Sequence, residues 1–403
     1  MKILYVTGQS PWPPTVGSRL RSYNMLRLLT QQHEVMVALL NNTPEEASDF
    51  EEGDPCPYDR RLVPGEPQSR GRYIRTVLFE RYRSVLQSLG QGTHREGLRT
   101  LVTLVRPDLV WFFRLNAVWR SGCARFAVPV VCDVDDLESR AYDRAIRLLP
   151  GVKRALARVD SPLFVRAQRE AAHNCDLLLV SNPDDVDETV ALTGRSTRVA
   201  PNGYDFSVAP VFGRAPAQRI VFYGALRYGP NIDGLQWFVR SIWPTIRRVL
   251  PDAQLDIAGT ADSAVQRFAD EPGVRVCGFV ESIRAFVDDA ALLVVPLRMG
   301  GGTRIKILEA WALGLPVVST SVGCEGLGAR HGETLMVADD PDSFARACVS
   351  LIIEPRLGQD MARRAFEFAR SRFGWEALAP VLEEALSFAT RNRITRVGSE
   401  TGR

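Results

Sequence analysis

Short apolar runs alternate with longer amphipathic stretches along this chain. Near its start, KILYVTG reads as a buried strand and is followed by a loop rich in Pro and Gly (Pro11, Pro13, Pro14, Gly17). An amphipathic helix around Leu20–Leu29 and a second apolar run, EVMVALL, complete a strand–helix–strand unit, which implies parallel pairing. DLVWFF, VPVVCDV, DLLLVS and TRVAPN read as further strands. The pattern then restarts. QRIVFYGA is a strand, LQWFVRSIWPTIRRVL a helix, AQLDIAG and VRVCGFV strands, SIRAFVDDA a short helix and LLVVPL a strand, before a glycine loop, a helix and LPVVST. The expected fold class is α/β, with two Rossmann-like domains whose parallel sheets face each other across a cleft. The expected domains are 1–210 and 211–373, separated by the loop-like VAPVFGRAPAQ, then a terminal helix over 374–392 and a disordered tail over 393–403. In open parallel sheets ligands bind beyond the carboxyl ends of the strands, where the loops after KILYVTG and LLVVPL both lie.

The second of those loops carries the clearest chemistry. Gly300, Gly301 and Gly302 let the backbone approach a ligand without a side chain in the way. Thr303 stands where an N-cap is expected, and the helix behind it presents unpaired N–H groups and the positive end of a dipole. Arg304 and Lys306 fall in the same first turn, where the dipole disfavours cations. Three positive sources at one place suit a strong anion such as a diphosphate. The bland reading is a solvated surface pair after an ordinary glycine turn. Lys306 gains weight from scarcity: the chain has only three lysines, Lys2, Lys153 and Lys306, among 50 basic residues. Lys306 and Glu309, three apart, share a helix face.

With 45% hydrophobic and 24% charged residues over 403 positions, the composition is that of a globular protein with room for two or three domains. The net charge of +3 is too small to argue for nucleic acid. Seven scattered cysteines without a CxxC pair fit a reducing compartment and no zinc site, and the four histidines do not cluster. MKILYVTG enters a strand without the apolar region or cleavage site of a signal peptide, so a cytoplasmic location is expected. No apolar run approaches membrane-spanning length. Residues 60–169 nevertheless hold 21 bases against 10 acids. Within them, Arg140, Arg144, Arg147, Lys153, Arg154 and Arg158 alternate with apolar residues. That stretch reads either as a surface for peripheral contact with anionic membrane or an anionic acceptor, or as a solvated helix face.

The second half resembles the donor domain of retaining GT-B glycosyltransferases, specifically glycosyltransferase family 4. The resemblance lies in IVFYGALRYGPNIDGLQWF, WPTIRRVLPDAQLDIAG, VRVCGFVESI and GGGTRIKILEAWALGLPVVST, followed by VGCEGL and GETLMVADDPDSFARA. The first half is similar to the acceptor domain through PWPPTVGSRLRSYNMLRLL, VVCDVDDLESR and LLVSNPDDVDETV leading to APNGYDF. RFGWEALAPVLEEAL resembles the final helix, which in that family crosses back to the first domain. The resemblance implies a nucleoside diphosphate sugar, UDP- or GDP-linked, as donor and a saccharide, lipid-linked glycan or small molecule as acceptor. It implies no further cofactor, no metal, and retention by front-face attack. Glu309 would take the ribose hydroxyls; Lys306, with Arg304 or Arg227, would neutralise the leaving diphosphate; the backbone at Phe279 and Val280 would meet the base. Gly17 and Arg19 belong to the first-domain loop expected to approach donor or acceptor.

The chain departs from the family pattern at identifiable places. The family's paired glutamates, separated by seven residues, become Gly301 and Glu309. Ala225 replaces an Arg, YGPNIDG lacks the usual Lys, and Asp135 stands near the position of the first-domain His. Asp135 and Asp133 are therefore the expected sugar contacts of the first domain. DVDD also contains Asp-x-Asp, which suits Mg²⁺ in GT-A transferases and in phosphatases, and an acidic cluster ahead of a helix is its bland reading. The remaining alternatives are a nucleotide-sugar epimerase or hydrolase on the same fold, and a non-catalytic sugar-nucleotide-binding subunit. The Pro201–Gly203 turn is read as a turn and not a site.

Overall fold

The computed structural model describes residues 1–14, 17–41, 58–64, 94–135, 137, 139, 146, 151–207, 209–213, 218–226, 228–260, 263–300 and 304–400. The chain divides into two compact units, Met1–Asn202 with Leu378–Arg403, and Gly203–Ala377. The division falls inside the Pro201–Gly203 turn and not in the 210–216 loop. Hydrogen bonding accounts for this: Asn202 is bonded to Arg21 and Asp135, whereas Tyr204 is bonded to Phe373 and Glu309.

The first unit contains β1 (Lys2–Thr7), α1 (Gly17–Leu29), β2 (Glu34–Asn41), β3 (Asp59–Pro64), α2 (Arg95–Val105), β4 (Leu109–Phe113) and α3 (Leu115–Arg120). It continues with β5 (Val130–Asp135), α4 (Gly151–Ala172), β6 (Leu177–Val180), α5 (Val186–Thr193) and β7 (Thr197–Val199). The sheet runs β3-β2-β1-β4-β5-β6-β7 with every pair parallel. Both faces are covered, which is why its strands read as continuous apolar runs. Leu4 and Val6 join Phe112, Cys132 and Leu178 in one core layer. Tyr5, on the opposite face, stacks on Trp111 at 6.4 Å and hydrogen-bonds Ser22 at 2.8 Å. β3 escapes the hydrophobic pattern because DRRLVP is an edge strand with charged residues.

A buried charge cluster ties α1 to β5. Arg21 and Asp133 have wholly buried side chains. The Arg21 guanidinium donates to both oxygens of Asp133 at 2.8–3.1 Å, to Asn202 Oδ1 at 3.0 Å and to the Ala200 carbonyl at 2.8 Å. Burial still holds the Asp133 carboxyl above the ordinary carboxylate range, although Arg21 pulls it down. The expected role of Asp133 as a sugar contact is therefore corrected. Its oxygens are spent on Arg21 inside the core.

The second unit contains β8 (Arg219–Tyr223), α6 (Gly229–Trp237), α7 (Trp243–Val249), β9 (Gln254–Ala258), α8 (Ser263–Gln266), β10 (Val274–Gly278) and α9 (Ile283–Val287). It continues with β11 (Leu292–Val295), α10 (Ile305–Ala312), β12 (Val317–Ser319), β13 (Met336–Val337), α11 (Pro341–Ile353) and α12 (Pro355–Phe373). Its parallel sheet runs β10-β9-β8-β11-β12-β13. Side chains alternate between two core layers. Ile220 and Phe222 lie with Leu292 and Val294, while Val221 and Tyr223 lie with Leu293 and Val295. The single helix expected over LQWFVRSIWPTIRRVL is interrupted by a π turn at Phe238–Ile242. Pro244, which lacks an N–H and crowds the preceding turn, explains the break.

The last helix, α13 (Trp375–Glu400), begins in the second unit and continues in the first. It extends into the stretch from 393 expected to be disordered. Arg393 is anchored there by a 2.6 Å bond to the Phe126 carbonyl. Among the described residues no helix is long and apolar enough to cross a membrane.

The Arg21 cluster generates a stability prediction. Arg21→Leu leaves the Asp133 carboxylate buried without its cation and should cost about 3–5 kcal/mol in urea unfolding. Replacing both residues by leucine should recover most of that loss. A single variant within about 1 kcal/mol of wild type would show that Asp133 does not need its partner.

Candidate functional site

The strand order of the second sheet reverses at β8, whose neighbours are β9 on one side and β11 on the other. The chain leaves β8 toward α6 and leaves β11 toward α10, so the first turns of these two helices flank one crevice. Lys306, Glu309, Arg304 and Gly300 are gathered around it.

α10 begins at Ile305 with Arg304 as its N-cap residue, at φ −82° and ψ 72° and without a side-chain capping bond. The N-cap place expected for Thr303 is thus taken by Arg304, one residue later. Gly301, Gly302, Thr303 and Arg227 lie outside the described residues. Gly300 has φ +116°, a conformation suited to glycine. Arg304 is buried and turned back on the loop: its Nη2 donates to the carbonyls of Gly300 at 3.1 Å and Val322 at 3.2 Å. The guanidinium therefore holds Gly300 to Val322 while its charge stays close enough to act on Lys306.

Lys306 is half-buried and its ammonium is closely surrounded. Nζ donates to Asn231 Oδ1 at 2.9 Å and lies 4.3 Å from the centre of the Phe222 ring. Gly224, at φ +152°, makes room: a Cβ there would stand 3.1 Å from Nζ. Burial lowers the Lys306 pKa to about 7, Arg304 pushes it the same way, and Glu309 opposes them. Glu309 responds in the other sense. Burial raises its carboxyl to about 6, with Tyr204, Tyr223 and Lys306 holding it back. The Tyr204 hydroxyl donates to Glu309 Oε1 at 3.1 Å, and that of Tyr223 donates to the Lys306 carbonyl at 3.0 Å. Burial raises both tyrosines above their ordinary range, so they remain hydrogen-bond donors at any working pH. The crevice thus holds a poorly solvated amine that an incoming anion would recharge, and a carboxylate one turn further along.

Phe279 and Val280 follow β10 at the far edge of the same sheet. Phe279 is 76% exposed, while Val280 is half-buried against the core.

In the first unit the expected residues meet differently. Asp135 sits at a β-bulge in β5 with φ +63°, which turns its side chain away from the regular alternation. It accepts from Asn202 Nδ2 and Arg114 Nη2, each at 3.2 Å. Gly17 is the first residue of α1 and is exposed; Arg19 reaches the Trp12 carbonyl at 3.4 Å. Asp136 of the DVDD segment lies outside the described residues, and the oxygens of Asp133 and Asp135 already face Arg and Asn donors.

Several partners went unforeseen: Tyr204, Tyr223 and Asn231 around the crevice, and Arg21, Arg114 and Asn202 in the first unit. Tyr223 was detectable as a polar tip ending a buried strand before a glycine. Tyr204 follows the Pro201–Gly203 turn, where the signal was only that of a turn.

Residues 217–354 match the family described as glycosyl transferases group 1. An uncharacterized 44.6 kDa protein in the cps region of Klebsiella pneumoniae is 28% identical over 163 residues, 38% of this chain and 42% of that protein. The D-inositol 3-phosphate glycosyltransferase of Paenarthrobacter aurescens is 27% identical over 235 residues, 52% of this chain and 56% of that one. The chain thus spans about half the length of the curated relatives it matches. Among solved structures, Anabaena HepE in complex with UDP superposes with a TM-score of 0.67 at 18% identity, over 96% of this chain and 100% of that one. Sucrose-phosphate synthase from Thermosynechococcus elongatus gives 0.70 at 15%, over 95% and 98%. Two parallel Rossmann-like sheets and these likenesses establish that the chain has the GT-B fold, with the match to glycosyl transferases group 1 lying in its second unit.

Proposed function

We propose that this protein is a retaining, metal-independent glycosyltransferase that moves a sugar from a nucleoside diphosphate sugar to a saccharide, lipid-linked glycan or small-molecule acceptor. The observation that carries the reading is the Lys306 ammonium, held at the start of α10 against Asn231 and Phe222 in a crevice that gives it little solvation. A diphosphate supplies the counter-charge such a group lacks. Charge that develops on the departing diphosphate is stabilised by Lys306, by the nearby charge of Arg304 and by the dipole of α10. Glu309 has oxygen lone pairs left after accepting from Tyr204, and these take the ribose hydroxyls. Phe279 offers an exposed ring at the sheet edge for the base. The donor is UDP- or GDP-linked, with UDP first to be tried because HepE was solved with it. Asp135 and the loop leading to Gly17 and Arg19 serve the acceptor side, and the acceptor hydroxyl attacks from the face that the diphosphate leaves. The protein works in the cytoplasm or at the inner face of the membrane.

Thermal unfolding with UDP, GDP, ADP, TDP and CDP tests the reading. One nucleoside diphosphate should raise the midpoint with or without Mg²⁺, and the rise should vanish in Lys306→Ala. No shift with any of them would sink it. With the matching sugar nucleotide, Lys306→Ala and Glu309→Ala should each lower kcat/KM by about 10²–10³-fold while the protein stays folded.

Lys306 also makes stability pH-dependent. Its pKa is lowered on folding from 10.5 to about 7, so between these values the unfolded chain binds more protons. Its contribution to stability therefore rises with pH across that window. The advantage of Lys306→Met over wild type should be largest at pH 7 and below, and should shrink toward pH 10 in paired urea titrations. A constant difference would mean that the amine is ordinarily solvated.

A further inference from the structure

We infer that Asn231 is a positioning residue of the donor site, one that aims the Lys306 ammonium into the crevice between the carboxyl ends of β8 and β11. The inference rests on the glycosyltransferase reading above and adds to it a residue outside the glycine-loop helix. Asn231 lies in α6, the helix that follows β8, while Lys306 lies in α10, which follows β11. Their contact is a hydrogen bond across the switch point of the sheet.

The geometry fixes the amide in one orientation. Asn231 is buried, its Nδ2 donates to the Ala225 carbonyl at 2.9 Å, and its Oδ1 accepts from Lys306 Nζ at 2.9 Å. A carbonyl can only accept, so the nitrogen must face Ala225 and the oxygen is left for the ammonium. The helix start holds the side chain further, since the Asn231 N–H donates to the Tyr228 carbonyl at 3.0 Å. Gly224 keeps the space open, because a Cβ there would stand 3.1 Å from both Asn231 Nδ2 and Lys306 Nζ. The Phe222 ring closes the site on another side. A lysine carries a flexible four-carbon stem and a point charge, so its direction has to be supplied by neighbours.

The choice of a neutral amide has a chemical reason. The charged groups acting on Lys306 are Arg304 and Glu309 of its own helix, with the Tyr223 hydroxyl on its backbone carbonyl. Asn231 adds an acceptor without adding charge. An aspartate of the same size would keep the amine protonated and repel the diphosphate.

Isothermal titration of UDP and GDP at pH 8, in two buffers with different heats of protonation, tests the inference. Wild type should take up a proton when the better of the two binds, because the anion recharges Lys306. Asn231→Ala should weaken that binding about tenfold, as expected for one hydrogen bond to a charged group. In a Lys306→Ala background the same change should have no further effect, since Asn231 acts through the amine. Asn231→Asp fills the same space and guards against a folding defect in the alanine variant. It should bind more weakly than wild type and take up no proton at pH 8. An Asn231→Ala loss that persists in full without Lys306, or an Asn231→Asp protein with wild-type affinity and proton uptake, overturns the positioning role. Wild type that binds neither nucleotide overturns the functional reading itself.

Discussion

A parallel sheet covered by helices on both faces admits charged side chains only at its rims or in closed ion pairs, and the layout of this protein follows from that constraint. Tyr5, Phe222 and their neighbours fill the two faces of each sheet, so nothing ionic can enter there without a partner. Where the strand order reverses, helices diverge and the rim opens into a crevice. In the second unit this is where a glycine at φ +116°, a lysine and a glutamate come together.

Two charged groups illustrate how differently such a scaffold treats burial. Arg21 and Asp133 neutralise each other through several hydrogen bonds, so the pair is a structural fastener. Lys306 has a neutral acceptor and an aromatic face, which attract an ammonium without carrying a counter-charge, a neighbouring arginine that repels it, and a glutamate that only partly compensates. The first arrangement is complete within the protein. The second leaves its charge without a full counterpart inside the protein, which is the property the proposed function draws on.

The alternation of apolar runs and amphipathic stretches was enough to anticipate both sheets, because doubly covered strands have to be apolar throughout. It was not enough for β3, an edge strand with charges, or for the π turn ahead of Pro244, where a backbone restriction overrides the helical period. The glycine loop, Lys306 and Glu309 could be read locally, since they lie within one turn and helix. Tyr204 is 105 positions from Glu309, and Asn231 is 75 from Lys306; only the folded topology makes them neighbours. Asp133 misled for the opposite reason. Two further acids, Asp135 and Asp136, follow it closely in sequence, and its true partner is an arginine 112 positions away.

The scarcity of lysine acquires a different meaning beside the environment of Lys306. Acylating and carbonyl reagents react with the neutral form of an amine, and an ordinary lysine near neutral pH has almost none of it. Lys306, lowered to about 7, carries a substantial neutral fraction there, and among side-chain amines only Lys2 and Lys153 stand beside it, with the α-amino group as the one other amine reactive near neutral pH. The sequence thus contains a built-in address for covalent labelling. An anion in the crevice, as the proposed function requires, would restore the Lys306 proton and slow labelling there while leaving the α-amino group unaffected.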